Sequence, residues 1–151
     1  MAYPRAMRFH FITVGSPKLG YAKAGWDEYY TRLTRYHTLK VTRVKDSGPE
    51  SEGKLILEAA RGVHLMPLDP RGKQFSSEEL SAHLGKLALH SEGDVAFVIG
   101  GPVGLSDEVR SKAGTLWSLS RLTLPHDLAM VVMLEALYRA STIARGEPYH
   151  K

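Results

Sequence analysis

Short apolar runs alternate with longer stretches of helical spacing along the whole of this chain, and few folds accommodate that order. The runs are Met7–Val14, Thr38–Lys45, Val63–Leu68, Val95–Ile99 and Thr115–Ser120. Between the first two, Lys18–Tyr36 places Leu19, Ala22, Trp26, Tyr29, Tyr30 and Leu33 at helical spacing, with Lys23, Arg32 and Arg35 outside. Lys54–Arg61 reads as a short helix. Ser76-Ser77-Glu78-Glu79 opens another, with hydroxyl caps and early acids, running to His90. Ser106-Asp107-Glu108 caps a further short helix. Pro125 suits the first turn of a last helix that reaches Arg145, before Gly146 and Pro148 stop it. Strands alternating with helices predict an α/β fold: a mostly parallel sheet with helices on both faces. Thr38–Lys45 alternates and belongs near a sheet edge. Gly15-Ser16-Pro17, Asp69-Pro70-Arg71-Gly72 and Glu92-Gly93-Asp94 read as turns, and Asp46–Gly53 as a flexible loop. No repeat, linker or low-complexity segment interrupts the order, so residues 1–151 are expected to form one domain.

Composition narrows the class. With no cysteine, the chain has no disulfide framework, thiolate metal site or cysteine nucleophile, which fits a reducing compartment. No apolar run approaches the length of a membrane span, and Met1–Arg5 lacks an apolar signal core, so a cytoplasmic protein is expected. The isoelectric point near 9.4 suggests a polyanionic partner. The charge is uneven. Residues 1–61 carry 11 Lys and Arg against 6 Asp and Glu, whereas residues 62–151 carry 9 against 10. Contacts to a nucleic acid are therefore sought in the first half, where Arg32 and Arg35 stand one helical turn apart. Ordinary solvated positions on an amphipathic helix would look the same.

The second half carries the chemistry. Gly100-Gly101-Pro102-Val103-Gly104 follows an apolar strand and precedes a capped helix, so a ligand could approach its backbone closely; a plain tight turn is the alternative. It matches neither the dinucleotide glycine pattern nor a phosphate loop. Leu119 to His126 is both apolar and irregular, which suits a flat, amphipathic ligand such as adenine, or else a core-packed connection. His126 starts the last helix, where the helix dipole disfavours a charged ring. Glu135 and Arg139 are i, i+4 on an otherwise apolar helix, and Tyr149-His150 lie in a tail that something must hold if it is ordered. Leu128–Leu134 is apolar all round, which points to burial on more than one side, by a second subunit or by the chain's own loops. The histidines show no metal-ligand spacing, and no metal site is expected.

Six elements occur in order: Leu68-Asp69, Ile99-Gly100-Gly101-Pro102-Val103-Gly104, Trp117-Ser118-Leu119-Ser120, Leu122-Thr123-Leu124-Pro125-His126, Glu135 with Tyr138-Arg139-Ala140, and Tyr149-His150. In this the chain resembles the bacterial ribosomal RNA large subunit methyltransferase H family, minimal members of the SPOUT methyltransferases, from Met7 to His150. The resemblance implies a C-terminal trefoil knot, a homodimer, S-adenosylmethionine as cofactor and no separate RNA-binding domain. It also implies methylation at N3 of a pseudouridine in the helix 69 loop of 23S ribosomal RNA. By position, Leu68, Gly100, Gly101, Leu119, Ser120, Arg121, Leu122, Thr123 and Leu124 would hold the cofactor. Glu135, Arg139, His126, Tyr149 and His150 are the candidates for catalysis, the helix pair and the tail foremost. Ala129-Met130 departs from the family pattern, in which an arginine often follows the Pro-His segment. A ribosome-associated module that binds RNA without catalysis is the alternative; it would have no use for two apolar loops at strand ends.

Overall fold

The computed structural model describes residues 6–90 and 93–151, so Met1–Arg5 and the turn residue Glu92 lie outside the described residues. Among the described residues nine elements follow one another: β1 (Arg8–Val14), α1 (Gly20–Leu33), β2 (Thr38–Val44), α2 (Pro49–Ala59), β3 (His64–Lys73), α3 (Ser77–Leu89), β4 (Asp94–Ile99), α4 (Asp107–Ser111) and α5 (His126–Ala144). The sheet order is β2-β1-β4-β3 and every pairing is parallel, with Phe11 opposite both Val41 and Phe97. The alternation expected for Thr38–Lys45 is that of an edge strand, and β2 is one.

Side-chain alternation divides the core in two. Phe9, Phe11, Met66, Val95, Phe97 and Ile99 face a layer built from α1, α3 and α5. Ile12, Val14, Leu65, Ala96 and Val98 face the other way, against Ile56 and Ala60 of α2 and Val109 of α4. Helices therefore cover both faces. Local chemistry fixes several starts. Ser76 and Glu79 form a reciprocal capping box at α3, with bonds of 3.0 and 2.8 Å. Ser106 caps α4. Pro125 stands one residue ahead of α5, as its cap.

Three expectations fail locally. α2 begins at Pro49, inside the stretch read as a loop. Proline suits a first helical turn, and Glu52 folds back so that Oε2 accepts from the Ser47 and Gly48 N–H groups at 2.9 Å each. β3 continues through the expected Asp69–Gly72 turn to Lys73. Its pairing with β4 stops at Pro67, and Trp117 becomes its neighbour at Leu68 and Lys73. Turn chemistry survives only as an Arg71 N–H donating to Asp69 Oδ1. Residues 115–120 form no strand; Trp117 alone makes a bridge there. This crossing is tight, because a Cβ on Gly72 would lie 2.5 Å from the Leu116 backbone. Lys73 N donates to Leu116 O and Ser118 N to Lys73 O, at 2.8 and 2.9 Å.

α5 is covered by the sheet below and by α1 and α3 beside it. Leu134 is completely buried within its own chain and so cannot report on a subunit contact. Leu128, Val131, Val132, Glu135 and Arg139 are only half-buried and form the outward stripe. Asp127 ties the start of this helix to α1: its Oδ2 accepts from the Lys18 and Leu19 N–H groups at 2.9 and 2.7 Å. These bonds, Leu19 foremost, hold its carboxyl below the usual carboxylate range.

Candidate active site

At the carboxyl ends of β3 and β4 lies a cavity of about 630 Å³. In an open parallel sheet this is where ligands bind, beside the point where strand order reverses. Its wall has three parts: Leu68 and Asp69 from β3, residues 99–105 after β4, and the chain from Ser118 into α5 as far as Ala129. The sequence candidates Leu68, Gly100, Gly101, Leu119, Ser120, Leu122, Thr123, Leu124 and His126 all line it. Arg121 is exposed and lies outside the wall. The wall segment is lightly bonded. Leu122 N donates to Ser120 Oγ, and Ser118 Oγ donates to the Ser120 carbonyl. His126 closes it off: Nε2 lies 2.8 Å from the Val14 carbonyl. A carbonyl only accepts, so Nε2 carries the proton. Nδ1 faces Asp127 Oδ1 at 3.6 Å.

Sequence reasoning missed two parts of this site. Asp69 is buried, and Arg110 crosses to it: Nη1 is 3.6 Å from Asp69 Oδ2 and donates to the Leu105 carbonyl at 2.6 Å. Asp69 stood in a quoted motif, but nothing in the spacing singled out Arg110. Glu52 is buried behind the glycine loop, where a Cβ on Gly101 would lie 3.2 Å from Val14 and 3.4 Å from the Glu52 carboxylate. The loop reading of residues 46–53 hid it.

The other candidates form a second cluster further along α5. Arg139 clasps Glu135 through Nη2 and Nε, at 2.6 and 3.2 Å from Oε2. The Tyr149 hydroxyl donates to the same oxygen at 2.8 Å. Its ring stands edge-on to Tyr138 at 4.7 Å and under the Arg139 guanidinium at 4.7 Å. His150 is held at both nitrogens. Nδ1 lies 3.1 Å from Arg139 Nη1, which can only donate, and Nε2 lies 3.2 Å from Glu78 Oε2. Burial, then bonds to Tyr29 and Glu135, push the Tyr149 phenol well above its ordinary range, so it stays protonated and is a donor, not a base. Glu135 keeps Arg139 cationic. Arg32 borders this cluster, 5.4 Å from the Tyr138 ring and 5.9 Å from that of Tyr149, with Nε bonded to Glu28 at 2.7 Å. Arg35 lies over Tyr36 and 4.0 Å from Glu147. Arg32 is thus packed beside the tail, whereas Arg35 is largely exposed. Among the described residues, no three His, Asp or Glu side chains come together as a metal site.

Wound sheet, strand-end cavity and looped wall define an α/β protein with room for a small ligand, and comparison with known proteins gives its class. Residues 7–150 match the family model described as "Predicted SPOUT methyltransferase". The chain belongs, within that class, to the ribosomal RNA large subunit methyltransferase H family. The member from Deinococcus radiodurans is 59% identical over 145 residues, covering 96% of this chain and 99% of the relative. That from Symbiobacterium thermophilum is 40% identical over 161 residues, covering 96% and 100%. Solved structures share the fold at low identity. A methylase-family protein of Haemophilus influenzae superposes with TM-score 0.57 at 14% identity, over 97% of this chain and 71% of the other. TrmJ from Z. mobilis gives 0.56 at 15%, over 97% and 73%. The chain is therefore a methyltransferase, and the methyl donor of its family is S-adenosylmethionine.

Proposed function

We propose that this chain methylates N3 of a pseudouridine in the helix 69 loop of 23S ribosomal RNA, with S-adenosylmethionine held in the strand-end cavity. The observation that carries the reading is the cavity, whose wall brings together every motif loop that the sequence singled out. The residues present fit the cofactor. Pockets for such molecules span roughly 300–1,000 Å³, and are mostly apolar with a few polar groups. Here Leu68, Leu119, Leu122 and Leu124 supply the apolar wall, while Gly100 and Gly101 expose backbone. When bound, S-adenosylmethionine supplies an activated methyl on a sulfonium centre.

The chain's own task is alignment and charge. An imide nitrogen must lose its proton to attack. Arg139, kept cationic by Glu135, is placed to stabilise the resulting anion; Tyr149 offers a ring for stacking and a hydroxyl for donation. His150 becomes a proton acceptor at Nδ1 once it leaves Arg139. His126 and Glu135 are nine residues apart, about 13 Å along the helix, too far to touch one methyl group. A homodimer resolves this: the tail cluster of one copy serves the cavity of its partner, across the outward stripe of α5, which is apolar at Leu128, Val131 and Val132. The reading also takes residues 1–151 as one cytoplasmic domain. It keeps the trefoil knot and gives Arg32 and Arg35 to RNA from beside the tail. No helix among the described residues is long and apolar enough to cross a membrane.

Calorimetry with S-adenosylmethionine tests the cavity. Wild-type chain should bind saturably, and Ala129→Phe, which puts a ring into the cavity, should weaken binding at least about tenfold, or ~1.4 kcal/mol. Gly101→Val should weaken it too, by displacing the loop from Val14 and Glu52. Normal binding by a folded Ala129→Phe variant would sink the assignment. For the substrate, methyl incorporation should occur on ribosomes carrying the helix 69 pseudouridine and be lost on ribosomes with uridine there.

A further inference from the structure

β3 and α3 each send a histidine to the same hydroxyl. His64 Nε2 lies 2.8 Å, and His83 Nε2 2.9 Å, from Thr115 Oγ1. The ring centroids are 6.4 Å apart, and Phe75 packs on His83 at 5.0 Å. A hydroxyl has one proton. At most one ring can accept from it, so at least one Nε2 carries a proton and donates to the oxygen. The neighbouring backbone is equally constrained. Gly114 N and Thr115 N both donate to the Leu65 carbonyl, at 2.8 and 3.2 Å, and any Cβ on Gly114 would run into the His64 ring.

This junction stands just upstream of the cavity wall. Beyond it, Leu116 and Ser118 are pinned to Lys73 by backbone bonds. From Leu119, which packs on the core, the segment makes few hydrogen bonds beyond those of Ser120 until it reaches His126 and Asp127. The wall is therefore a span hung between two anchors. Val14 and the entry to α1 hold the downstream one. At the upstream one, Thr115 joins β3 to α3.

We propose that Thr115, by bridging His64 and His83, is a positioning residue for residues 119–125, and that its hydroxyl sets the affinity for S-adenosylmethionine without touching the cofactor. The inference rests on the reading that the cavity holds that cofactor. Without the hydroxyl, two ring nitrogens lose a shared partner in a half-buried site, and the start of the wall segment keeps its backbone bonds to Leu65 and Lys73 but loses its side-chain tie to β3 and α3.

The test compares Thr115→Val, which keeps the shape and removes the hydroxyl, with Thr115→Ser, which restores it. Thr115→Val should raise both the Kd and the KM for S-adenosylmethionine at least about tenfold, with kcat at saturating cofactor within about twofold of wild type. Thr115→Ser should bind like wild type. Imidazole ¹⁵N signals of His64 and His83 should show at least one protonated Nε2 in wild type, and both signals should shift in Thr115→Val. Unchanged cofactor affinity in Thr115→Val with a lowered Tm would overturn the proposal, as would a Thr115→Ser variant as weak as Thr115→Val. If Thr115→Val does not fold, Thr115→Ala carries the same expectation. Ala129→Phe separates the two readings. If it binds normally, the cavity assignment has failed; if it loses binding while Thr115→Val keeps it, only the anchor has.

Discussion

Arg139 is bonded to Glu135 and His150 and lies over Tyr149, so it holds the tail cluster together. Arg139→Gln keeps one donor group but is shorter and removes the charge. Methyl transfer should fall at least about tenfold, while cofactor affinity stays at the wild-type value because the cavity lies elsewhere on the chain. A matching loss of cofactor affinity would show that the two clusters are not separate. His37 makes a different point. It packs on Phe9, accepts the Met7 N–H at Nδ1 and lies 2.9 Å from Ser141 Oγ at Nε2. Burial, helped by Arg145, depresses its pKa to about 4. The unfolded chain, with an ordinary histidine near 6.5, therefore binds a proton that the folded chain refuses. Stability from this group is fully present above pH 6.5 and is lost as pH falls from about 6.5 to about 4, on the order of 3 kcal/mol at most. Denaturant titrations across this range should show that loss in wild type and a flatter profile in His37→Gln.

At the scale of elements, the tail is firmer than its position after a helix-stopping glycine suggested. Tyr149 packs against the core cluster of α1, α3 and α5, and Tyr36 bonds Glu147, with burial and this bond lifting its phenol to about 12. Deleting Tyr149–Lys151 should thus cost both things: methyl transfer at least about tenfold, and stability by about 1–2 kcal/mol, visible as a Tm lowered by roughly 3–6 °C. Full turnover by the truncated chain would remove the tail from the mechanism. Elements whose identity is set by their own residues were legible in advance. β1, α1, α3 and β4 each carry a clear period or cap. Those set by a distant partner were not. β3 outruns its turn signal because Trp117 pairs with it from 44 residues beyond Lys73, and α2 starts early because Glu52 caps it backwards. The cavity loops were found, since glycine and apolar loop composition is local information. Arg110 and the Thr115 junction were not, since only folding brings them to β3 and α3.

For the molecule as a whole, the outward stripe of α5 decides whether the site can be completed. Val132→Glu should give a folded chain that stays monomeric at micromolar concentration in sedimentation and transfers methyl poorly. Leu134→Glu should instead unfold the chain, since it places a charge where nothing is exposed to water. A dimeric Val132→Glu variant would move the subunit contact elsewhere. The sheet order carries one more consequence. No two neighbouring strands are joined by a hairpin, and the central pair β1 and β4 matches Arg8 with Asp94. The aromatic layer of Phe9, Phe11 and Phe97 is then roofed by Met130, Met133 and Leu137 of the last helix. A chain emerging from the translation machinery consequently has no stable half-product. Its first strand waits for the fourth, and both wait for α5, so folding is expected to follow the emergence of α5 and to be slow for its size.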